Sequence, residues 1–426
     1  MAITNHPLRQ WAVDEMHLRR FAPVSDDCQI YQSVLLIGEE QRQAEDQHLI
    51  GDKPLFEDWH LAPRSASAHT RTGIYFLWER HTEASTITLI LPAKLIVAQT
   101  DIYLHWFEKW PGSVIRATRI RTLPDPALVD ENLAAMGIIS EDLVHCEVGN
   151  GMRIWSDFGI HKDGYGRLLV EGGGKSDTER GRIIQRVQEL GNYRNLALMG
   201  FPTVQRYGPE VDQLEQRLSD HAERVARATD EDSDEILLQQ LAEISAQLEL
   251  IRSATGFRLS ATNAYAEVAA DRLHALDVRP VSHYQSLKEF TERRLIPAQR
   301  TCAVFQSRLA GIAERVSRIM HTLDVRIDTR IKAQNLRLME SMERSTQLQL
   351  RLQTLVEGLS VIAAAYYLVG LIAYIVKGIA AYPAGSSSEL LIGAVTIPVI
   401  LAIYLLVKRL RGKVIKESDV KKSDFP

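Results

Sequence analysis

Cysteine is scarce: Cys28, Cys146 and Cys302 are the only three in 426 residues, widely spaced and odd in number. Such a set specifies neither a disulfide framework nor a zinc site. An excess of one charge is missing too, since 50 Lys and Arg stand against 54 Asp and Glu for a net charge of −4. That balance removes the electrostatic footprint of a nucleic-acid binder. No apolar h-region follows the polar start MAITNHPLRQ, so no secretory signal is read and the N-terminal portion is expected in the cytoplasm.

Catalytic motifs are also missing. There is no nucleophile elbow, dinucleotide loop or metal-protease helix. Gly172-Gly173-Gly174-Lys175-Ser176 resembles a phosphate loop, but Walker A needs a glycine five residues before Gly174, and that position is Leu169. What remains is a glycine turn or a weak anion nest at a helix start. His81 and Glu83 are two residues apart, hence on one face of an expected strand, and His161 and Asp163 repeat the spacing. Such pairs suit strand-surface hydrogen bonds better than a metal, for want of a third ligand. His6, His17, Arg19 and Arg20 form a basic face near the N-terminus. The chain is not expected to be an enzyme, no cofactor is implied, and no metal ligand set can be named.

What the chain does have is apolar length. No Asp, Glu, Lys, Arg or His occurs from Leu359 to Val376, and Leu390 to Val407 repeats the pattern after a loop containing Pro383, Gly385 and three serines. Each run of about 18 residues gives about 27 Å of helix, so the two are expected to form a transmembrane hairpin. Lys408, Arg409, Arg411, Lys413 and Lys416 follow the second run, whereas the loop offers only Lys377 and Glu389. This asymmetry puts both termini on the cytoplasmic side of a bacterial inner membrane.

Upstream, residues 1–200 alternate short β-like runs with turn residues, which predicts an α+β cytoplasmic domain with a largely antiparallel sheet. Strands are expected at Ile30 to Gly38, Gly73 to Glu79, Thr86 to Leu91, Val114 to Leu123, Met152 to Phe158 and Tyr165 to Glu171. Helices are expected at Pro7 to Met16, Glu39 to Leu49, Pro126 to Met136 and Ser176 to Met199, the last with a Ser176/Glu179 capping box. Residues 201–357 read as a long-helix hairpin, Val204 to Leu276, followed by a coiled-coil stalk. The hairpin turns at an acidic tip, Asp230 to Glu235. A short helix holds Leu287 and Phe290, and Pro297 opens the stalk. Its seam is Phe305, Leu309, Ile312, Val316, Ile319 and Leu323, spaced 4-3-4-3-4. Residues 358–408 hold the two membrane helices and 409–426 a basic tail.

Two stripes run along the stalk into the first span. Leu348, Leu352, Leu355, Leu359 and Ile362 are ordinary packing positions. The other stripe starts at Asn335 and passes through Gln349, Gln353, Ser360, Ala363, Tyr367, Gly370, Tyr374 and Lys377 in steps of three and four. A polar face inside a bilayer is costly unless it meets protein or water. Copies of the helix around an axis would aim this stripe at a lumen. Alternatively, Ser360, Ala363, Ala364 and Gly370 permit close helix packing and the tyrosines belong to interfacial belts.

Several stretches together carry a resemblance: His6-Pro7-Leu8-Arg9 with Glu15 and His17, Trp78 through Glu83, Trp155-Ser156-Asp157-Phe158, Val356 through Ser360, and Tyr366-Tyr367. On these the chain resembles a proteobacterial family of membrane-anchored proteins of unknown function, over nearly its whole length. In architecture it is similar to CorA-type magnesium channels, a resemblance that implies a stalk helix continuous with the first span and a homo-oligomer, usually a pentamer. The Gly-Met-Asn filter of those channels is absent, and Tyr374-Ile-Val-Lys-Gly378 stands in its place. A Lys377 ring would repel cations, so magnesium selectivity does not carry over.

The leading expectation is a homo-oligomeric ion channel or transporter whose partners are the lipid bilayer, further copies of itself and an inorganic ion. The alternative is a non-conducting membrane-anchored scaffold or sensor that binds a partner through its coiled coil. An enzyme would need His81, Glu83 and His161 to converge.

Overall fold

The computed structural model describes residues 5–10, 12–13, 22–51, 53–138, 141, 143–227, 231–379, 397–398, 401–405 and 408–409. Most of the second apolar run, the loop before it and most of the basic tail lie outside these residues. So do His17, Arg19, Arg20 and Asp230 of the acidic tip. The chain divides into two compact units, Met1–His321 and Thr322–Pro426.

The first unit is built on one ten-stranded sheet of order β10-β7-β8-β9-β6-β1-β5-β4-β3-β2. Its strands are β1 (Cys28–Leu36), β2 (Asp58–Ala62), β3 (Ser65–His69), β4 (Tyr75–Arg80), β5 (Ala84–Pro92), β6 (Ser113–Leu123), β7 (Val144–Val148), β8 (Met152–Ser156), β9 (Gly166–Glu171) and β10 (Arg279–Pro280). Every pairing is antiparallel except β6 with β9. The expected α+β class and largely antiparallel sheet are therefore present.

Period-2 alternation assigns side chains to the two faces. On β1, Ile30 packs under a helix together with Ile183, Val187 and Leu190. Tyr31 and Leu35 point the other way, into a cluster with Phe76, Trp78, Trp106, Phe107 and Trp110. The aromatic side is covered by α1 (Glu39–Ile50) and α2 (Val97–Glu108), while α3 (Val129–Met136) packs Leu133 and Met136 beside Trp155 and Leu169. The opposite side carries α4 (Asp177–Leu198), whose N-cap Ser176 accepts a bond from the Glu179 amide, as the capping box implies. Behind α4 lies α6 (Glu231–Ala275), which follows α5 (Gly200–Arg227). Arg272 of α6 pairs with Glu189 of α4, and Arg258 of α6 donates to Glu83 at 2.9 Å.

Glu45 is completely buried on α1 and accepts from Trp78 Nε1 at 2.9 Å, Trp110 Nε1 at 3.0 Å and Arg80 Nε at 2.9 Å. A buried carboxylate is tolerable only when its lone pairs are filled in this way.

Pro297 does not open a helix. The last long element, α7, runs unbroken over Leu287–Ile379 with Pro297 inside it. An internal proline costs about 3 kcal/mol. Burial of Leu287, Leu295, Cys302 and Phe305 on both sides of it offsets that cost. The expected seam is turned inward, with Phe305, Leu309, Ile312, Val316 and Leu323 all buried. Arg308, one position off the seam, reaches Asp212 at 2.5 Å and Glu215 at 2.8 Å on α5, and Asn263 of α6 donates to Gln306 at 3.0 Å. In the second unit, every residue of α7 from Ile331 to Val356 is exposed. Among the described residues, α7 is the helix long and apolar enough to cross a membrane, by length and composition.

Candidate functional site

The proposed lining residues lie on α7. Gln349, Gln353, Ser360, Ala363, Tyr367, Tyr374 and Lys377 are exposed, and Gly370 is half-buried with open space where a Cβ would sit. Gln353 donates to Glu357 at 3.3 Å and Ser360 Oγ donates back to the Val356 carbonyl at 2.8 Å. Steps of three and four keep them on one helix face. A single chain brings no two walls of a lumen together.

The histidine pairs do not form a site. His81 and Glu83 sit in the turn joining β4 to β5, not on a strand. There the His81 amide bonds the Ala84 carbonyl, and Glu83 is engaged by Arg258. His161 and Asp163 lie in the loop before β9, where His161 Nε2 meets Asp157 at 3.1 Å and Asp163 meets Arg167 at 2.6 Å. Among the described residues no group of three or more His, Cys, Asp or Glu side chains could hold a metal ion. In the glycine turn, Gly173 and Gly174 take φ of 56° and 72°. The Gly173 amide donates to the chain's own Glu171 carboxylate at 3.1 Å, so a protein group already takes that nest donor.

The site that the fold does build lies between β6, the loop after β8 and α4. It is a cavity of about 280 Å³ with Ile115, Leu168, Val187, Leu190 and Leu287 as apolar walls and Arg116, Arg167 and Arg194 as its charged groups. Among the described lining residues there is no Asp, Glu, His, Cys or Lys. Arg167 is paired with Asp163, but among the described residues the other two arginines meet no carboxylate. Arg116 projects from β6 toward α4 and donates to neutral amide oxygens, Gln188 at 2.6 Å, Asn192 at 2.8 Å and Gln32 at 3.4 Å. It lies so close to α4 that a Cβ on Gly191 would be 2.7 Å from the guanidinium.

Arg194 is 9% exposed, and its Nη1 is buried without a hydrogen-bond partner. Its guanidinium carbon lies 4.9 Å from the Phe158 ring centre and 5.1 Å from that of Phe290. The two rings are themselves stacked at 4.3 Å. Phe158 reaches this position through a left-handed backbone, φ 49°, unusual for a bulky residue. Ser156 Oγ holds that turn by accepting from the Phe158 amide at 3.0 Å and donating to the Arg167 carbonyl at 2.6 Å.

Burial pushes the Arg116 guanidinium down to about 9, with the Arg194 charge adding to the effect, and burial pushes Arg194 down to about 10. Both shifts have the same leading cause, removal of the guanidinium from solvent. The Ser156 hydroxyl on its wall is committed to the backbone, and the charge the described walls offer is that of arginine.

Sequence reading had singled out Trp155-Ser156-Asp157-Phe158 without assigning it a role, and it missed Arg116 and Arg194. The available signal was a pair of arginines on an interior strand and a buried helix face. No curated protein matches the chain. The family model described as protein of unknown function (DUF3422) matches residues 4–414, so the chain belongs to that family.

Proposed function

We propose that the chain is a homo-oligomeric inner-membrane ion channel or transporter with CorA-like architecture, whose first-span stripe lines the path. The observation that carries this reading is the uniform exposure of α7 from Ile331 to Val356, where Leu336, Leu338, Met339, Met342, Leu348, Leu352 and Leu355 are each at least 59% exposed. An isolated helix does not keep such a surface in water. Copies of α7 packed through the leucine stripe as a coiled coil would cover it and leave the Gln349-to-Lys377 stripe facing the axis. Beyond Glu357 the helix enters lipid, residues 390–407 return as the second span, and both termini stay cytoplasmic.

The test is ion flux through the purified oligomer in liposomes across a range of cations and anions. Flux above protein-free liposomes is expected. A folded oligomer silent under all conditions overturns the proposal. The Arg116/Arg194 cavity favours a second reading, a non-conducting membrane-anchored sensor or scaffold. That reading expects a silent oligomer that still engages a partner through its coiled coil.

A further inference from the structure

We propose that the cavity between β6 and α4 is a binding site for a small organic anion, its carboxylate or phosphate group held by Arg116 and Arg194. This inference does not depend on whether the chain conducts ions.

The argument begins with cost. Removing a guanidinium from water is costly unless an opposite charge and hydrogen bonds replace the solvent. Elsewhere in the same unit buried charges are matched: Glu45 has Arg80, Arg258 has Glu83, and Arg167 has Asp163. Among the described residues, half-buried Arg116 has only amide oxygens, and Arg194 has only two aromatic faces and an unpartnered Nη1. Aromatic faces stabilise a desolvated cation but accept no ordinary hydrogen bond. The missing partner is therefore an acceptor carrying negative charge. A planar guanidinium fork suits the two oxygens of a carboxylate or phosphate.

The walls give the rest of the ligand's chemistry. Ile115, Leu168, Val187 and Leu190 surround the charged end with hydrocarbon, which suits an apolar body better than a bare inorganic ion. The volume of about 280 Å³ limits that body to a small molecule. Leu287, in the first turn of α7, is also a wall, so an occupant would touch the start of the long helix.

The test uses the full chain in detergent, with thermal melting and calorimetric titration. The probes are benzoate, phenyl phosphate and inorganic phosphate, with neutral benzamide as the control. Saturable binding and a raised melting temperature are expected with benzoate or phenyl phosphate and not with benzamide. The preference between the two anions identifies the headgroup. Arg194→Met should weaken binding by about tenfold or more, the loss of a charged hydrogen bond. In the absence of anion the same variant should melt no lower than wild type, because it removes an uncompensated charge. No saturable binding of any anionic probe to the folded chain overturns the proposal, as does equal binding of benzamide or undiminished affinity in Arg194→Met. A variant that melts well below wild type without ligand would make Arg194 a structural residue and equally overturn it.

Discussion

Arg116 and Arg194 line one cavity, and among the described residues neither is ion-paired to a carboxylate. They reach it from different elements, β6 and α4, and each is fixed by neutral neighbours. Such an arrangement is costly in an empty site and favourable in an occupied one.

The position of Arg116 depends on Gly191. In a helix interior, Gly→Ala ordinarily gains about 1 kcal/mol. At Gly191 the new Cβ would be 2.7 Å from a guanidinium held by three amides, and overpacking of this kind costs about 1–3 kcal/mol. Gly191→Ala is expected to lower stability by about 1 kcal/mol, read as a shift in the denaturation midpoint. A stabilised variant would show that the guanidinium moves freely.

Glu45 holds two indole N–H groups and Arg80 in a dry site. Glu45→Ala leaves both indole donors without their acceptor and Arg80 with Asp46 alone. A loss of about 2–5 kcal/mol is expected, chiefly the cost of two buried donors left unsatisfied. Chemical denaturation followed by tryptophan fluorescence measures it.

Two histidines give the first unit a predictable acid response. His145 is pushed below the ordinary imidazole value by burial, opposed by its bond to the Ile154 carbonyl, while it stacks on Trp155. His221 is lowered by burial and then by neighbouring Arg224. A base whose folded pKa is depressed costs nothing while neutral in both states. It lowers stability once the unfolded chain takes up a proton that the folded chain refuses. Stability should therefore be flat above about pH 6.5 and fall as pH drops below it. His145→Gln and His221→Gln should each flatten that fall, as melting temperatures between pH 7 and pH 5 will show.

The stripe on α7 separates the two functional readings. Ser360→Leu and Tyr367→Leu place large apolar groups on exposed positions of one face. If that face lines a path, flux in liposomes drops to the protein-free level while the oligomer persists in detergent. If it meets protein in a scaffold, the substitutions leave partner binding intact.

Much of the fold was legible. Alternating Val, Ile, Tyr and Leu located β1, β4, β5, β6, β8 and β9, and Ser176 with Glu179 located the start of α4. What escaped were elements whose residues do not favour their own conformation. β2 and β3, Asp-Trp-His-Leu-Ala and Ser-Ala-Ser-Ala-His, are short and partly made of small polar residues, and they form because β4 offers them a paired edge. α2 contains Val, Ile, Tyr, Trp and Phe, which suit a strand, and is helical because it lays Trp106 and Phe107 against Phe76. Pro297 reads locally as a helix start and is overridden by apolar burial on both sides.

The sequence by itself determined the sheet-forming half, the long helices and the apolar length of α7, because each is written in a local period of two or about 3.6 residues. Only the tertiary structure decided that Arg116, Arg194, Phe158 and Phe290 meet. They come from a strand, a helix, a left-handed turn and the start of another helix, and no spacing along the chain encodes that meeting. Nor does the sequence disclose that, among the described residues, neither of these two arginines is paired with a carboxylate. That depends on which carboxylates the fold brings near and which it commits elsewhere, as it commits Asp163 to Arg167 and Glu83 to Arg258.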